Sequence, residues 1–431
     1  MSGVNFKVVR VQLPSGPTAN VDFTVPGFGT PKAAMFFFAA NHITGTSRPG
    51  GRISMGFTDG VNQACCSSAS EDAQATSNTA RSSSVTSCVQ NVYYDGSIVD
   101  HVGSFNSWIT DGVRLSFTNL GGNAYSVMCV LINGDDVLNA TVGDFHNDAI
   151  SESVTLGYEP SILFPMSIGR ATQESVTRRA SMQNGCVVND GSNTQRSTAM
   201  RSQDSLTTTL VGTARSIVSG LLEIDHGAIT NTADISFSPT GFTFDNTISP
   251  LDKWTYYLAL EFSPGTQVAI FDYEWPEAGT LSVAGVGFEP TFAFMHDTQS
   301  TPTPDLHLNT GNVFNYMAVA FDAANMASLN ITDRTAQTDS QCKSLSDIKV
   351  NRVWVGGGDN AIVSTGWSFT SDGFDITTSN TSDIFRGWGL AIGIVDPGVN
   401  KIFHGGTPIQ ALSIGGTPIS EVFVGSIKVF G

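Results

Sequence analysis

The sequence predicts an all-β fold of three tandem homologous β-sandwich modules, jelly-roll-like in type, followed by a short C-terminal β-ribbon. Three observations support this prediction. The 431 residues include 44 glycines but only 14% charged residues, which suits short strands joined by polar turns. Several sequence signatures recur with a period near 130 residues. The segment from His404 to Gly431 repeats in steps of ten residues.

A glycine, an aromatic residue and a proline mark the beginning of each repeat. The copies read GFGTPKAAMFFF from Gly27, GYEPSILFPM from Gly157 and GFEPTFAFMH from Gly287, at intervals of 130 residues. The first copy carries one additional residue before its proline. A signature at this spacing predicts a repeated structural unit of about 130 residues.

Two later signatures keep nearly the same period. One contains Gly112, Gly241 and Gly373 in the segments TDGVRLSFTN, PTGFTFDNT and SDGFDITTSN. The other ends at Gly134, Gly265 and Gly398. Because separate landmarks share one period, we infer homologous modules over residues 23–150, 151–280 and 281–398. An N-terminal strand or arm over residues 1–22 precedes them, and the ribbon covers residues 399–431.

The strand signals within each module favour a sandwich of two sheets. Apolar and polar residues alternate over Val113–Phe117, as expected for a half-buried strand. Tyr256–Phe262 and Leu390–Val395 are short apolar runs that fit central strands buried on both faces. Helical signals are weak, and only Gln173–Met182 and Thr213–Leu222 could each form a turn or two of helix. Turn signals every 8–12 residues are typical of a jelly-roll-type sandwich.

The middle of each module is rich in small polar residues. The copies contain ACCSSASEDAQATSNTARSSS, NDGSNTQRSTAMRSQDS and NITDRTAQTDSQ. We interpret them as long loops at equivalent positions. Such loops on a repeated scaffold either carry specific contacts or are surface segments that tolerate change.

Charge and processing signals restrict the classes of partner. The formal charge is −17, and the basic cluster of Arg178, Arg179, Arg196 and Arg201 is dispersed among polar residues, so no nucleic-acid partner is predicted. No apolar stretch approaches the ~20 residues of a membrane span, and no signal peptide is recognisable at the N-terminus. The chain is therefore expected to be made in the cytoplasm of its host.

The six cysteines form no metal-type CxxC pair. A disulfide from Cys65 or Cys66 to Cys88 is conceivable, but reduced thiols are favoured for a cytoplasmic protein.

The search for chemistry predicts no catalytic residue, no cofactor and no metal ion. The seven histidines fall in no HExxH pattern, and GxSxG is absent. Asp225 and His226 are neighbours, and a structural role is favoured for them. Asp272, Glu274 and Glu277 lie beside aromatic residues and suit a sugar hydrolase, although a packed linker between modules explains them equally well. The loops after Asn133 and Asn189 are aspartate-rich, but turn formation accounts for both.

The C-terminal repeat predicts three small β units in series. Each step contains a strand, a Gly-Gly or Gly-Ser turn and a second strand. Such a ribbon buries too little surface to be stable alone, so we expect it to dock on other domains or other chains. The alternative is a closing hairpin of the third module. The residues predicted to mediate assembly are Leu412, Ile414, Val422, Val424, Ile427 and Val429.

This ribbon resembles the C-terminal ribbons of structural proteins of tailed bacteriophages, especially minor tail proteins. Those ribbons often repeat Ile-x-x-hydrophobic-x-Val-Gly-Gly-x-x-Val, a pattern matched in order by Ile409, Leu412, Ile414, Gly415, Gly416 and Ile419. The pattern begins again at Val422, with Ser426 in place of the second glycine, whereas His404 departs from it. The opening segment KVVRVQLPSGPTANVDFTVPGFGTPKAA also looks like the start of phage virion proteins.

The resemblance implies a non-enzymatic virion structural protein, with a minor tail or tail-tip role and a part in host attachment. Its expected location is the virion, and its expected partners are other virion proteins. Three like domains form a pseudo-threefold object, so a homo-oligomer in a threefold or sixfold environment is expected. The alternatives are a receptor-binding adhesin that recognises host surface glycans, a capsid decoration protein and the sugar hydrolase.

Overall fold

The computed structural model describes most of the chain, with gaps. The described residues are 3–40, 48–71, 76–94, 99–120, 124–206, 211–225, 228–247, 252–276, 279–298, 306–309, 313–334, 340–346, 363–379, 385–394, 403–404, 407–408, 413–414, 417–418, 422–424 and 427–430. Within these residues the protein is all-β, without a helix, and its strands pair in antiparallel sheets. The predicted fold class is therefore confirmed.

The first module covers the N-terminal third of the chain, and its strands form most of the first pair of sheets. Its strands are β1 (Asn5–Gln12), β2 (Thr18–Thr24), β3 (Ala33–Ala39), β4 (Arg48–Pro49), β5 (Gly51–Thr58), β6 (Gln63–Ser70), β7 (Thr79–Ser84), β8 (Val89–Val92), β9 (Val99–Ile109), β10 (Gly112–Thr118) and β11 (Ser126–Asn133). The inner sheet has the order β1-β11-β3-β5-β6-β7, and the outer sheet has the order β2-β10-β9-β8.

The second module repeats this arrangement. Its strands are β12 (Val137–Asn147), β13 (Ser151–Thr155), β14 (Ile162–Ser167), β15 (Thr177–Arg178), β16 (Ala180–Val188), β17 (Thr194–Ser202), β18 (Val211–Ser216), β19 (Leu221–Asp225), β20 (Ala228–Ser238), β21 (Gly241–Asn246) and β22 (Lys253–Phe262). The inner order is β12-β22-β14-β16-β17-β18, and the outer order is β13-β21-β20-β19. Its first strand, β12, lies before residue 151, where the sequence analysis set the module limit.

The third module follows the same plan. Its strands are β23 (Thr266–Trp275), β24 (Gly279–Ala284), β25 (Pro290–Thr298), β26 (Leu306–Asn309), β27 (Val313–Asp322), β28 (Met326–Arg334), β29 (Ser340–Ser346), β30 (Val363–Thr370), β31 (Gly373–Ser379) and β32 (Phe385–Ile394). The inner order is β23-β32-β25-β27-β28-β29, and the outer order of the described strands is β24-β31-β30. In all three modules the first strand pairs with the last, a jelly-roll-like connectivity.

Each module has a core between its two sheets. In the first module, Phe36 and Phe38 of β3 pack against Phe23 of β2 and Leu115 of β10. The alternate residues of the same strand, Met35 and Phe37, point to the opposite face of the inner sheet. The inner sheet is therefore buried on both faces, as the apolar runs predicted for central strands.

The second face of each inner sheet contributes to one axial core shared by the three modules. We use this name for the cluster around Phe37 of the first module, Phe164 of the second and Phe294 of the third. The ring centroid of Phe294 lies 5.3 Å from that of Phe37 and 6.5 Å from that of Phe164. The modules are therefore joined by a continuous hydrophobic core.

The middle segments correct two interpretations made from the sequence. The segments interpreted as long loops form β6, β7, β17, β28 and β29 of the inner sheets. Thr213–Leu222 lies mostly in β18 and β19, and Gln173–Met182 contains β15 and the start of β16, so neither is helical. The small side chains of these strands, such as Ser67 and Ser68, are fully buried between neighbouring elements.

The described residues of the C-terminal ribbon form three two-stranded sheets in series. β33 (Phe403–His404) pairs with β34 (Thr407–Pro408), β35 (Ser413–Ile414) with β36 (Thr417–Pro418), and β37 (Val422–Val424) with β38 (Ile427–Phe430). The ten-residue repeat thus corresponds to successive hairpins.

Candidate functional site

The most distinctive feature of the molecule is the set of seams between its modules. In each module, one connection between two strands of the inner sheet contains a short strand that joins the inner sheet of the preceding module. These connections are β3–β5, β14–β16 and β25–β27. β15 pairs with β7 at seam 1–2, β26 pairs with β18 at seam 2–3, and β4 pairs with β29 at seam 3–1. Because the first module donates to the third, the exchange closes a ring with pseudo-threefold arrangement.

A buried arginine lies on two of the strands that receive an exchanged strand. Arg81 of β7 donates a hydrogen bond to the carbonyl of Ile168 across seam 1–2, at 2.6 Å. Arg215 of β18 donates to the carbonyl of Gly387 across seam 2–3, at 3.2 Å. Burial, together with nearby Arg170 and Arg201, lowers the pKa of Arg81 to about 9, so it remains charged at neutral pH. The signal in the sequence was the tetrapeptide Thr-Ala-Arg-Ser at Thr79 and Thr213, which the sequence analysis missed.

The opposite edge of each inner sheet is its first strand. At seam 1–2, the carboxylate of Asp59 accepts a hydrogen bond from the amide of Val142 in β12, at 2.8 Å. At seam 3–1, the carboxylate of Asp322 accepts from the amide of Val8 in β1, at 2.9 Å. Asp59 directly follows β5 of the first module, and Asp322 is the last residue of β27 of the third module. Two edge strands are thus capped by a carboxylate from the neighbouring module.

Seam 2–3 departs from this pattern. The equivalent loop position is Asn189, which donates hydrogen bonds within its own module to Glu159 and to the carbonyl of Pro160. The next residue, Asp190, accepts from Ser192 and Thr194 of its own loop. Seam 2–3 is instead crossed by Arg196, whose guanidinium donates to the carboxylate of Asp272 in β23 at 2.7–3.2 Å. The edge of β23 consequently has a different environment from its two counterparts.

A cleft of about 420 Å³ opens at seam 2–3. One wall is formed by the second module, through Ser161, Asn189 and the turn after Phe262. The other wall is the start of β23, from Thr266 to Val268, together with the segment ending at Phe288. The side chains that line the cleft are uncharged, which distinguishes it from the acidic character of the chain as a whole.

Two of the repeated sequence signatures meet at one end of the sandwich. The carboxylate of Asp111, in the segment TDG, accepts hydrogen bonds from the amides of Gly27 and Gly29 at 2.9 and 2.8 Å. In the third module Asp372 accepts from the amides of Gly285 and Gly287 at 3.0 and 2.7 Å. In the second module the carbonyl of Thr240 takes this place, accepting from Leu156 and Gly157. The two signatures therefore share a period because they are hydrogen-bonded to each other in every module.

A buried histidine, His296 of β25, lies against the axial core. Its ring stacks on Trp388 with centroids 5.1 Å apart, and Nε2 lies 3.0 Å from Nδ2 of Asn184 in the second module. Complete burial lowers the pKa of His296 to about 3, so the imidazole is neutral. His296 thus forms a polar contact across seam 2–3 inside an apolar core.

The residues considered for sugar hydrolysis lie in or near β23. Asp272 is paired with Arg196 of the second module, and Glu274 forms an ion pair with Arg386 of β32. Trp275 is fully buried and donates its indole N–H to Asp297 at 3.0 Å. Glu277 lies outside the described residues. Both described carboxylates are therefore engaged by arginines across strands or modules.

Asp225 forms an ion pair with Arg201 at 2.8 Å, and its neighbour His226 lies outside the described residues. The aspartate-rich turn after Asn133 is held by Asp136, which accepts from the hydroxyl of Ser263 at 2.6 Å. Among the described residues, no group of three His, Cys, Asp or Glu side chains is arranged to hold a metal ion.

The cysteines whose side chains are described, namely Cys65, Cys66, Cys88, Cys129 and Cys186, are buried free thiols. The conceivable disulfide to Cys88 is not formed. Burial raises the pKa of Cys65 to about 12, so its thiol stays protonated at neutral pH.

The ribbon residues predicted to mediate assembly lie partly within described strands. Ile414 is in β35, Val422 and Val424 are in β37, and Ile427 and Val429 are in β38. Leu412 lies outside the described residues. Among the residues that the structure describes, no helix is long and apolar enough to cross a bilayer.

The comparisons with known proteins give no identity. No protein-family model matches the chain, and no curated protein sequence matches it.

Proposed function

We propose that the protein is a non-enzymatic structural protein of a bacteriophage virion, with a place in the tail or the tail tip. The observation that carries this proposal is the C-terminal ribbon. Its described strands form three successive two-stranded sheets, and they pair with one another rather than with the sheets of the modules. An isolated two-stranded hairpin is marginal in water, so a series of them needs a partner surface. The ribbon repeat also resembles those of phage structural proteins.

The ring of three modules suits this role. A closed pseudo-threefold ring presents three similar faces around one axis, which matches partners of threefold or sixfold symmetry. The net charge of −17 keeps the chain soluble before assembly and disfavours binding to packaged DNA. The expected partners are other virion proteins and further copies of this chain.

The alternative of a glycan-binding adhesin rested on the interpretation of the middle segments as exposed loops. The middle segments that were expected to form its binding face are strands of the inner sheets, and many of their side chains are buried. Host attachment by another surface remains part of the proposal for a tail-tip protein. A decoration role on the head differs from the proposal only in location.

The proposal is tested on purified particles of the phage that encodes the chain. Particles are compared between the parent phage and a mutant whose gene carries an early stop codon. We expect peptides of this chain in the parent particles, and incomplete or non-infective tails in the mutant. Absence of the chain from intact particles, with normal tails in the mutant, would contradict the proposal.

A further inference from the structure

The edge strands of the three inner sheets are equivalent in register. Val8 lies opposite Val130, which pairs on its other side with Met35. In the same way Ile270 lies opposite Leu390, which pairs on its other side with Phe294. Val142 has the same position in the second module. The amides of Val8 and Val142 point away from their own sheets, because each donates to an aspartate across a seam. The amide of Ile270 therefore also points away from its sheet, and no carboxylate of a described residue accepts from it.

The burial of the side chains on these edge strands differs in the same way. Val8 and Val142 are 2% and 1% exposed, whereas Ile270 and its neighbour Val268 are only partly buried against the axial core. The first residues of β23 form a wall of the 420 Å³ cleft. This edge of the three-module ring is thus partly apolar, and the outward amides of Val268 and Ile270 donate to no other described residue. Such an edge accepts an added strand.

The lining of the cleft indicates the chemistry of the strand that fits it. Its side chains are uncharged, so a charged strand would lose hydration without gaining a partner. The ribbon fits this requirement, since residues 399–431 include only Lys401, Glu421 and Lys428 as charged residues and are rich in Ile and Val. Within one chain the described ribbon strands pair with each other, and none pairs with β23.

We propose that the start of β23 at seam 2–3 is a docking site for a C-terminal ribbon strand of a second copy of this chain. The strand adds to the free edge of the inner sheet and completes the cover of the axial core at this seam. The contact joins different surfaces of the two copies, so it propagates to a ring or a filament. This inference rests on the assembly role proposed for the ribbon and names the surface that receives it.

The test compares the full-length chain with variants of the edge and of the ribbon. Val268→Pro removes an outward amide and obstructs an added strand, while proline is tolerated on an edge strand whose N–H faces outward. Ala140→Pro is the matched control, because Ala140 is also partly buried against the axial core but lies on the β12 edge that Asp59 covers. Ile414→Pro alters the ribbon in β35, which pairs with β36 and with no strand of the modules.

Mass is measured by light scattering after size-exclusion chromatography over a range of protein concentrations, with circular dichroism as the check of folding. We expect the parent chain and Ala140→Pro to associate into species of two or more copies. Val268→Pro and Ile414→Pro are expected to remain at the mass of one chain, with a dissociation constant weakened by about tenfold or more.

Four results would overturn the inference. One is a parent chain that keeps the mass of a single copy at every concentration. Another is a folded Val268→Pro protein that associates as the parent does. The third is Ile414→Pro associating as the parent does, which decides the question even if Val268→Pro fails to fold. Protection of the Ile270 amide from hydrogen exchange in a single-copy sample would assign the site to the chain's own ribbon instead. None of these results bears on whether the chain is found in phage particles.

Discussion

Glycine is required at three equivalent positions of one repeated signature, because the backbone of a neighbouring strand approaches each of them closely. A Cβ atom added at Gly112, Gly241 or Gly373 would lie 1.9 Å from a backbone carbonyl oxygen of Phe23, Val154 or Val283 respectively. Gly241 and Gly373 also have φ values of +157° and +152°. The sequence analysis found this signature by its period, but the reason for the glycines is the close approach of the second strand of each module.

Replacement of Gly241 with alanine should therefore destabilise the protein strongly. The carbonyl of Val154 belongs to the backbone and cannot rotate away, so we expect a loss of about 2 kcal/mol or more in the free energy of unfolding. Gly265→Ala is the control, because a Cβ there meets no atom within 4 Å. Denaturant titration of both variants checks this, and equal stabilities would contradict the packing described for Gly241.

His296 has a consequence for the dependence of stability on pH. Its pKa is about 3 in the folded protein, against an ordinary value near 6.5 in an unfolded chain. Between these values the unfolded state binds more protons than the folded state, so stability falls as the pH falls from about 6.5 toward 3. Above pH 6.5 this residue has no effect on the slope.

His296→Phe should reduce the loss of stability in acid. The equivalent inner-sheet positions carry Phe37 and Met166, so a phenylalanine is compatible with this site in the fold. We expect the variant to lose up to about 1.4 kcal/mol less per pH unit than the parent chain between pH 6 and pH 4. Unfolding free energies measured at several pH values check this. The same acid slope in both proteins would show that His296 is not the group responsible.

At the scale of the strands, each inner sheet has two edges, and neighbouring modules cover most of them. An exchanged strand pairs with the edge strand β7, β18 or β29, and an aspartate caps the opposite edge strand at two of the three seams. Uncovered edges invite unwanted pairing, so this arrangement limits the positions at which another chain can add. The remaining edge, β23, is consequently the position at which another chain can add a strand.

Asp322→Ala should be more damaging than Asp190→Ala. Asp322 is fully buried and accepts from Val8 across seam 3–1 as well as from Ala324 and Asn325 in its own loop. Its loss leaves a buried amide without an acceptor, which costs about 1–3 kcal/mol. Asp190 is exposed and accepts only within its own turn, so its replacement should cost less than about 1 kcal/mol. Thermal unfolding of both variants measures the difference.

The sequence predicted the apolar strands well but missed the strands that form the seams. Runs such as Tyr256–Phe262 carry the β-branched, aromatic and aliphatic side chains that mark a buried strand. In β6 and β7, buried positions are occupied by Ser67, Ser68, Ser82 and Ser83. Ser67 accepts a hydrogen bond from the amide of Val92 in the same module, and Ser83 accepts one from the hydroxyl of Tyr256 in the second module. Small polar residues are normally turn signals, and only the tertiary contact between modules gives them a buried role.

At the scale of the whole molecule, the repeat period predicted three like units but not how they associate. The exchanged strands are Arg48–Pro49, Thr177–Arg178 and Leu306–Asn309, and these segments share no sequence pattern. Their pairing depends on backbone hydrogen bonds and on the shape of the ring, neither of which leaves a signal in side-chain periodicity. The function of the ribbon was likewise predicted from its repeat, while its receiving surface became apparent only from the comparison of the three seams.

The shared axial core predicts that the modules do not fold independently. A fragment that ends after β11 would expose the inward face of its inner sheet, including Phe6, Met35 and Phe37. We expect residues 1–135 to be aggregated or unfolded, and the full ring to unfold in one calorimetric transition. A soluble fragment with a cooperative transition of its own would contradict this coupling.

The most direct test of the proposed function is a cryo-EM map of intact phage particles in which this chain is located. The account predicts the three-module ring in the tail or the tail tip, on a threefold or sixfold axis or around it. It also predicts ribbon density against a neighbouring chain. A map that places the chain on the head, or particles that lack it altogether, would contradict the account.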